Sequence, residues 1–167
     1  DLYGFCYADI STGEFKVTQA PLELLKSELS RISPAEIVGP SKDLIIQPFQ
    51  IVPEQKIDLP EEIVENYNCS MIPSNVFEET FAYNNLKSLY NTQTLESFGY
   101  KDYKLGFRAA AALLSYIWET LKENFPKFDK ITPYELKDYV IIDSSTQRNL
   151  ELTETLREKK KYGSLLW

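Results

Sequence analysis

The chain has 167 residues, of which 43% are hydrophobic, and this length can bury the core of one domain together with part of another. It contains no histidine, which excludes His-based acid–base catalysis, Ser-His-Asp triads and zinc sites that need an imidazole. The longest uninterrupted apolar run, residues 109–114, is far shorter than the roughly 20 residues of a membrane-spanning helix, so we expect no membrane contact.

The formal net charge of −7 comes from 18 basic and 25 acidic residues, and it is unevenly distributed. Residues 1–100 hold 6 basic and 15 acidic side chains, a net charge of −9, whereas residues 101–167 hold 12 and 10, a net charge of +2. Because a DNA backbone attracts clustered Lys and Arg, we expect the first 100 residues to avoid DNA. Only the basic run at residues 157–161 could approach it, and we favour a solvated helix end there.

Cysteine usage and nucleotide motifs set further limits. Cys6 and Cys69 are the only thiols, which predicts a reduced, intracellular setting and a cytoplasmic location, and two thiols alone cannot form a multi-thiolate metal site. The sequence has no G-x-x-x-x-G-K-[ST] phosphate loop and no G-x-G-x-x-G turn, so neither common nucleotide cradle is present.

The first 40 residues predict the order strand, strand, helix, strand. Residues 2–8 alternate as a strand buried on both faces would, residues 9–13 supply turn side chains and a glycine, and residues 14–18 return as a hairpin partner. A helix follows, with Pro21 in its first turn and Ser33 at its end because Pro34 comes next. Residues 35–39 form a short apolar segment of the kind that inserts into a covered sheet, which indicates an α/β class.

The middle and end of the chain are predicted to be mainly helical. Residues 40–73 contain two short β-like runs, at 45–46 and 49–52, and a weak helix over residues 60–67, and residues 76–90 follow with helical spacing. The strongest helix begins near Asp102 as its N-cap and runs to about Asn124. After it we predict a linker bracketed by Pro126 and Pro133, a buried strand over residues 139–142, and a helix opened by the capping-box pair Ser144 and Gln147.

The turn after the first strand is the one place that invites a catalytic interpretation. Asp9, followed by Thr12 and Gly13, could hold Mg²⁺ and phosphate, and the layout resembles the first strand pair of ribonuclease H-like nucleases and sugar-kinase-type ATPases. Metal-dependent phosphoryl chemistry needs further carboxylates around the same ion, and Glu36 or Glu78 have no motif that places them there. We favour the interpretation that Asp9 closes a hairpin turn.

Two weaker surface patterns also have ordinary explanations. Residues 99–104, GYKDYK, mix aromatics with lysines as single-strand binding surfaces do, but two lysines favour an amphipathic flank of the long helix. Asn84 and Asn85 could hydrogen-bond a protein partner, or they could simply be solvated.

Five segments, in order and spacing, resemble the MutS family of DNA mismatch-repair proteins: YGFCYADISTGEF, ELSRISPAEIVGP, GFRAAAALLSYIWET, DYVIIDSSTQRNLELTE and GSLLW. The pattern D-x-x-T-x-R-N-L-E-L at residues 143–152 is the most specific of these. Together they cover nearly the whole chain.

The resemblance implies a division into two domains. Residues 1–134 would be a connector domain, α/β and ribonuclease H-like, with a mixed sheet flanked by helices but catalytically silent. Residues 135–167 would begin a mainly helical core or lever domain, and both ends of the chain look cut. The family's mismatch-reading Phe-x-Glu segment and its ATPase are not in this stretch, and residues 77–79 are only a superficial echo of the former.

The family resemblance also implies a function. The connector would couple the mismatch-binding and ATPase domains of a bacterial homodimer that binds mismatched DNA and uses ATP and Mg²⁺, without catalytic, cofactor or metal residues of its own. Its motion would be a rigid-body rotation about the predicted linker. In family terms, the helix matching residues 81–89 belongs to the surface where MutL docks, so the candidate contacts are Tyr83, Asn84, Asn85 and Lys87.

Two alternatives come from other classes of function. One is a Mg²⁺-dependent ribonuclease H-like nuclease that uses Asp9. The other is a stand-alone DNA-binding domain, which the acidic first half argues against. We also expect the exposed apolar end, Leu165 to Trp167, to pack against a neighbouring copy.

Overall fold

The computed structural model describes residues 1–42, 45–47, 50–52, 56–128 and 130–136, with only the backbone of the two short middle segments. The elements in chain order are β1 (Tyr3–Ala8), β2 (Phe15–Ala20), α1 (Leu22–Ile32), β3 (Ile37–Pro40), β4 (Ile45–Gln47), β5 (Gln50–Val52), α2 (Glu61–Asn66), β6 (Cys69–Ile72), α3 (Glu79–Leu89), α4 (Lys104–Leu121) and β7 (Thr132–Pro133). Single 3-10 turns precede α3 and α4 and follow α4.

The principal sheet has the order β1-β2-β7. Strands β1 and β2 pair antiparallel as the predicted hairpin, with Tyr3 opposite Ala20, and β7 runs parallel to β2. Burial on both faces was predicted for the first strand, but the described residues show it in β2, the central strand, while β1 lies at an edge and is half-buried or exposed. Both faces of β2 are covered by other elements: Phe15 and Val17 pack in the core that α4 fills, and Ala20 packs with Leu25 of α1 and Leu136.

Helix α4 lies directly against this hairpin because two glycines permit it. A Cβ on Gly4 would stand 2.1 Å from the Leu105 carbonyl oxygen, and a Cβ on Gly106 would stand 2.7 Å from the Thr18 carbonyl oxygen. Both distances are far below a van der Waals contact, so any side chain at either position would push the helix off the sheet. The inward face of the helix fills the main core with Phe107, Ala110, Ala111 and Leu114.

The start of α4 differs from the prediction. Asp102 is not its N-cap: the helix begins at Lys104 after Tyr103, and no side chain of its own first turn caps it. The cap comes instead from Gln19 of β2, which is distant in sequence. Its Nε2 donates to the carbonyl of Asp102, 83 residues away, at 2.9 Å, and its Oε1 accepts from the N–H of Leu105, 86 residues away, at 3.2 Å. A free N–H of the first turn is thus satisfied by the strand beneath it.

The remaining strands form two small sheets. β3 pairs parallel with β6, and β4 forms a hairpin with β5. The segment 35–39 is therefore a strand as predicted, but among the described residues it does not pair with the first hairpin. Glu36 connects its sheet to α4, because one of its carboxylate oxygens accepts from both Ser70 Oγ and Tyr116 Oη. The fold is mixed α/β, with a small mixed sheet and flanking helices.

The linker predicted between Pro126 and Pro133 is wrong for its last residues. Ile131 is 1% exposed, Thr132 and Pro133 form β7, and the Tyr134 N–H donates to the Val17 carbonyl at 3.0 Å. Leu136 is also buried, against Ala20 and Leu25. Prolines indicated a loop, but a strand that pairs through one edge can accommodate them.

Several predictions lie outside the described residues: the strand at 139–142, the helix opened at Ser144, the basic run at 157–161 and the apolar end at 165–167. None of the helices in the described ranges is long and apolar enough to cross a membrane.

Candidate functional site on helix α3

Helix α3 is fixed to the core by one face. The sequence pattern predicted a single helix over residues 76–90, but the chain first makes a 3-10 turn and then passes through extended Glu78 before α3 begins. Ala82 and Leu86, one helical turn apart, are fully buried in the core cluster that also holds the inward face of α4. The opposite face of α3 consequently points outward.

That outward face combines apolar and amide groups. Phe81 is 38% exposed and Leu89 is 45% exposed, two turns further along. Between them lie Asn84, Asn85 and Ser88, and these five side chains line a shallow, open depression. We call these five residues the α3 face. It carries no charged group, and its large side chains stand in solvent at both ends.

The four predicted docking residues divide into two pairs. Asn84 and Asn85 lie on the α3 face, but Tyr83 and Lys87 lie beside it. Tyr83 packs edge-on against Tyr100 with ring centroids 5.0 Å apart, and the Lys87 ammonium stands 5.5 Å from the Tyr83 ring centroid. Both are half-buried, so they form a flank that supports the face.

Sequence reasoning missed Phe81, Ser88 and Leu89 as members of this face. The local pattern held no signal for Leu89, because it stands at i+7 from Ala82 and i+3 from Leu86, the spacing of one helical face. Leu89 is exposed because it is the last residue of α3, where packing against the core ends.

The beginning of α3 is held by side chains from around α4. Lys104 Nζ lies 3.1 Å from Glu79 Oε1, the Tyr100 hydroxyl reaches the same oxygen at 3.4 Å, and Arg108 Nε donates to the Phe77 carbonyl at 2.6 Å. The hydrogen bond from Lys104 lowers the pKa of Glu79 below its ordinary value. A carboxylate at this position also suits the positive end of the helix dipole.

The turn at Asp9 uses its polar groups internally. Asp9 Oδ1 accepts from the Ser11 N–H at 2.8 Å, from Ser11 Oγ at 2.6 Å and from the Thr12 N–H at 3.3 Å, and Gly13 adopts a φ of 80°. The Ser11 hydrogen bonds lower the pKa of Asp9, as expected for a carboxylate that closes a turn. The turn interpretation is confirmed.

Other chemistry-bearing residues are not brought together. In the described part of the chain, no three Cys, Asp or Glu residues are placed to hold a metal ion. Glu36 is engaged by Ser70 and Tyr116, as described above, and Cys6 and Cys69 are both free thiols. Burial raises the pKa of Cys6, which keeps this thiol protonated.

The GYKDYK segment forms the predicted amphipathic flank of α4. Tyr100 is 4% exposed within the core, and Tyr103 is half-buried, whereas Lys101 is exposed. A buried ring cannot stack on a nucleic-acid base, so this segment lacks the aromatic platform of a single-strand binding surface.

Comparison with known proteins identifies the family. The family model for MutS domain II matches residues 1–129. The chain is 39% identical to the DNA mismatch repair protein MutS of Microcystis aeruginosa over 99% of its own length and 19% of that protein. It is also 39% identical to MutS of Trichodesmium erythraeum and 37% identical to MutS of Alkaliphilus oremlandii, each over 98% of the chain and 18% of the relative. The chain spans about a fifth of the length of these relatives, and it belongs to the MutS domain II family.

Proposed function

We propose that this chain is the non-catalytic connector of a DNA mismatch-repair protein, and that the α3 face is where a MutL-type protein docks. The membership in the MutS domain II family carries the first part of this proposal. In the whole protein, the connector couples a mismatch-binding region to an ATPase that uses ATP and Mg²⁺, in a cytoplasmic homodimer. Residues up to 134 form the connector, as a variant of the ribonuclease H-like arrangement, and residues from 135 onward begin the core or lever domain.

Exposure of the α3 face carries the second part. Phe81 and Leu89 are large apolar side chains in solvent, and Asn84, Asn85 and Ser88 between them offer donors and acceptors without charge. Protein interfaces typically surround a few apolar anchors with polar groups and avoid charge at their centre. Tyr83 and Lys87 belong to the proposal as the flank that fixes the position of the helix.

A continuous packed path connects this face to the sheet. Leu86 of α3 and Phe107 of α4 belong to one core cluster, and α4 contacts the hairpin through Gly4 and Gly106. A rigid path of this kind lets a rotation of the domain carry the α3 face with it, because closely packed interiors do not deform continuously.

Charge supports a protein partner over DNA for this region. The first 100 residues carry a net charge of −9, which repels phosphate groups. We therefore assign the contact with mismatched DNA to other parts of the whole protein.

Alanine substitution in the full-length protein tests the docking proposal. With ATP present, we expect Leu89→Ala to weaken binding of a purified MutL-type protein about tenfold, the loss typical of an apolar anchor. Met71→Ala is the matched control, because Met71 of β6 is 42% exposed and lies outside the α3 face. It should leave the affinity unchanged.

A second variant examines the strongest rival surface. Trp118 of α4 is 61% exposed and contacts Phe125 at a tilted angle with ring centroids 5.3 Å apart. If Trp118→Ala weakens binding and Leu89→Ala does not, the partner docks on α4 and the proposal is wrong.

A further inference from the structure

An ion pair between a buried carboxylate and an exposed guanidinium lies beneath Tyr134, near the end of the described residues. Glu28 of α1 is 4% exposed, and its two carboxylate oxygens accept from the Arg31 guanidinium at 2.9 and 2.7 Å. A buried carboxylate needs its remaining hydrogen-bonding capacity filled, since an unmatched charge in the interior is costly. The Tyr134 hydroxyl supplies a further donor, at 2.8 Å from Oε1.

Tyr134 is held by its backbone and ring as well as by its hydroxyl. Its N–H donates to the Val17 carbonyl at 3.0 Å, which extends the pairing of β7 with β2 by one residue. Its ring meets Tyr7 of β1 edge-on with centroids 5.9 Å apart. One residue therefore contacts β1, β2 and α1 together.

The protonation states of Tyr134 and Glu28 both favour the hydrogen bond between them. Burial and the neighbouring carboxylate raise the pKa of Tyr134, so its hydroxyl keeps the proton that it donates. Burial alone would favour a neutral Glu28, but hydrogen bonds from Arg31 and Tyr134 outweigh it and hold the pKa of Glu28 below its ordinary value.

We infer that the Tyr134–Glu28 hydrogen bond is a latch that fixes residues 132–136 to β2 and α1, so that this stretch turns with the connector as one body. The inference rests on the proposed coupling function and adds a mechanism to it. Rotation within the predicted linker would have to break a bond to a buried charge, separate β7 from β2 and expose Leu136. Tyr134 therefore acts as a positioning residue, because it holds residues 132–136 in place when the connector rotates.

Hydrogen exchange in the full-length protein tests the latch. Tyr134→Phe removes only the hydroxyl and keeps the ring against Tyr7, so the fold should persist. We expect amide exchange over residues 132–136 to become about tenfold faster, the factor that corresponds to about 1.4 kcal/mol, which is close to the low end for a hydrogen bond to a charged group.

Tyr116→Phe is the matched control for this experiment. It removes another tyrosine hydroxyl that donates to a glutamate, from Tyr116 to Glu36 at 2.9 Å. Neither of these residues belongs to the stretch 132–136. It should leave exchange over residues 132–136 unchanged. Equal exchange in wild type and Tyr134→Phe would overturn the inference.

A second readout connects the latch to function. We expect ATP to increase the affinity of the wild-type protein for a MutL-type partner, and Tyr134→Phe to reduce that increase severalfold, with Tyr116→Phe behaving as wild type. If amide exchange becomes faster in Tyr134→Phe but ATP still increases the affinity for the partner as in wild type, the inference is contradicted. Fixing residues 132–136 would then not be needed to transmit motion. If wild type binds no partner in either state, the docking function fails, whereas the exchange result still decides whether the latch exists.

Discussion

The Asp9 turn and the α3 face differ in whether their side chains interact within the domain or are exposed to solvent. The turn contains the residue types of a metal site, yet Oδ1 of the Asp9 carboxylate already accepts the hydrogen bonds of the turn itself. The α3 face contains no charged residue, yet it holds large apolar side chains in solvent. We therefore base the proposed docking function on the exposed apolar surface and not on residue types associated with catalysis.

The packing of α4 on the β1–β2 hairpin, which supports α3, gives the largest expected effect on stability. Gly4→Val places side-chain atoms where the Leu105 carbonyl lies, so α4 must leave the hairpin. We expect a loss of about 3 kcal/mol or more in the free energy of unfolding, measured by chemical denaturation. Ser97→Ala, at an exposed position, is the control and should cost less than about 0.5 kcal/mol. Wild-type stability in Gly4→Val would refute the close packing of α4.

One helix allows the two faces of α3 to be compared by the same substitution. Leu86 is 0% exposed and Leu89 is 45% exposed. Leu86→Ala should cost about 2 to 5 kcal/mol of stability because it leaves a cavity, and Leu89→Ala should cost less than about 0.5 kcal/mol. Thermal or denaturant unfolding of both variants checks this. Similar losses would mean that the α3 face is not exposed.

The buried Glu28 gives a pH-dependent effect of intermediate size. Because its folded pKa is lowered, its contribution to stability is complete above the ordinary glutamate pKa of about 4.3 and is lost as the pH falls through the folded value. Glu28→Gln should therefore reduce stability at neutral pH by about 2 kcal/mol and reduce it less as the medium becomes acidic. Denaturation of wild type and variant across pH 3 to 7 measures the difference. A difference that does not change with pH would contradict the charged state assigned to Glu28.

The Asp9 turn gives the smallest expected effect. Asp9→Asn keeps a turn-forming side chain, so stability should fall far less than in Leu86→Ala. Added Mg²⁺ or Mn²⁺ should leave the melting temperature of wild type and variant unchanged, since a bound ion would raise it. A rise in melting temperature that depends on Asp9 would restore the metal interpretation of the turn.

Local signals predicted their elements well. Pro21 and Ser33 bracket α1 as predicted, and Ser33 ends the helix in a left-handed conformation with φ of 50°. The first hairpin, the short strands β4 and β5 and helix α2 also follow their local patterns. In each case the residues that determine the element lie within it or beside it.

Features that depend on distant parts of the chain were missed. The cap of α4 comes from Gln19, so Asp102 was chosen from the local sequence and was wrong. Pairing with β2 makes residues 132–133 a strand, which two prolines had concealed. For the candidate site, the sequence found the helix and two of the five face residues, but the exposure of Phe81 and Leu89 depends on how α3 packs against the core.

Protection of a single engineered thiol tests the docking surface most directly. In a full-length background whose native cysteines, Cys6 and Cys69 included, are replaced by serine, Ser88→Cys places a thiol on the α3 face and Asn66→Cys places one on the exposed surface of α2. With ATP present, a MutL-type partner should slow maleimide labelling of Ser88→Cys severalfold and leave labelling of Asn66→Cys unchanged. Equal labelling of Ser88→Cys with and without bound partner would contradict the account.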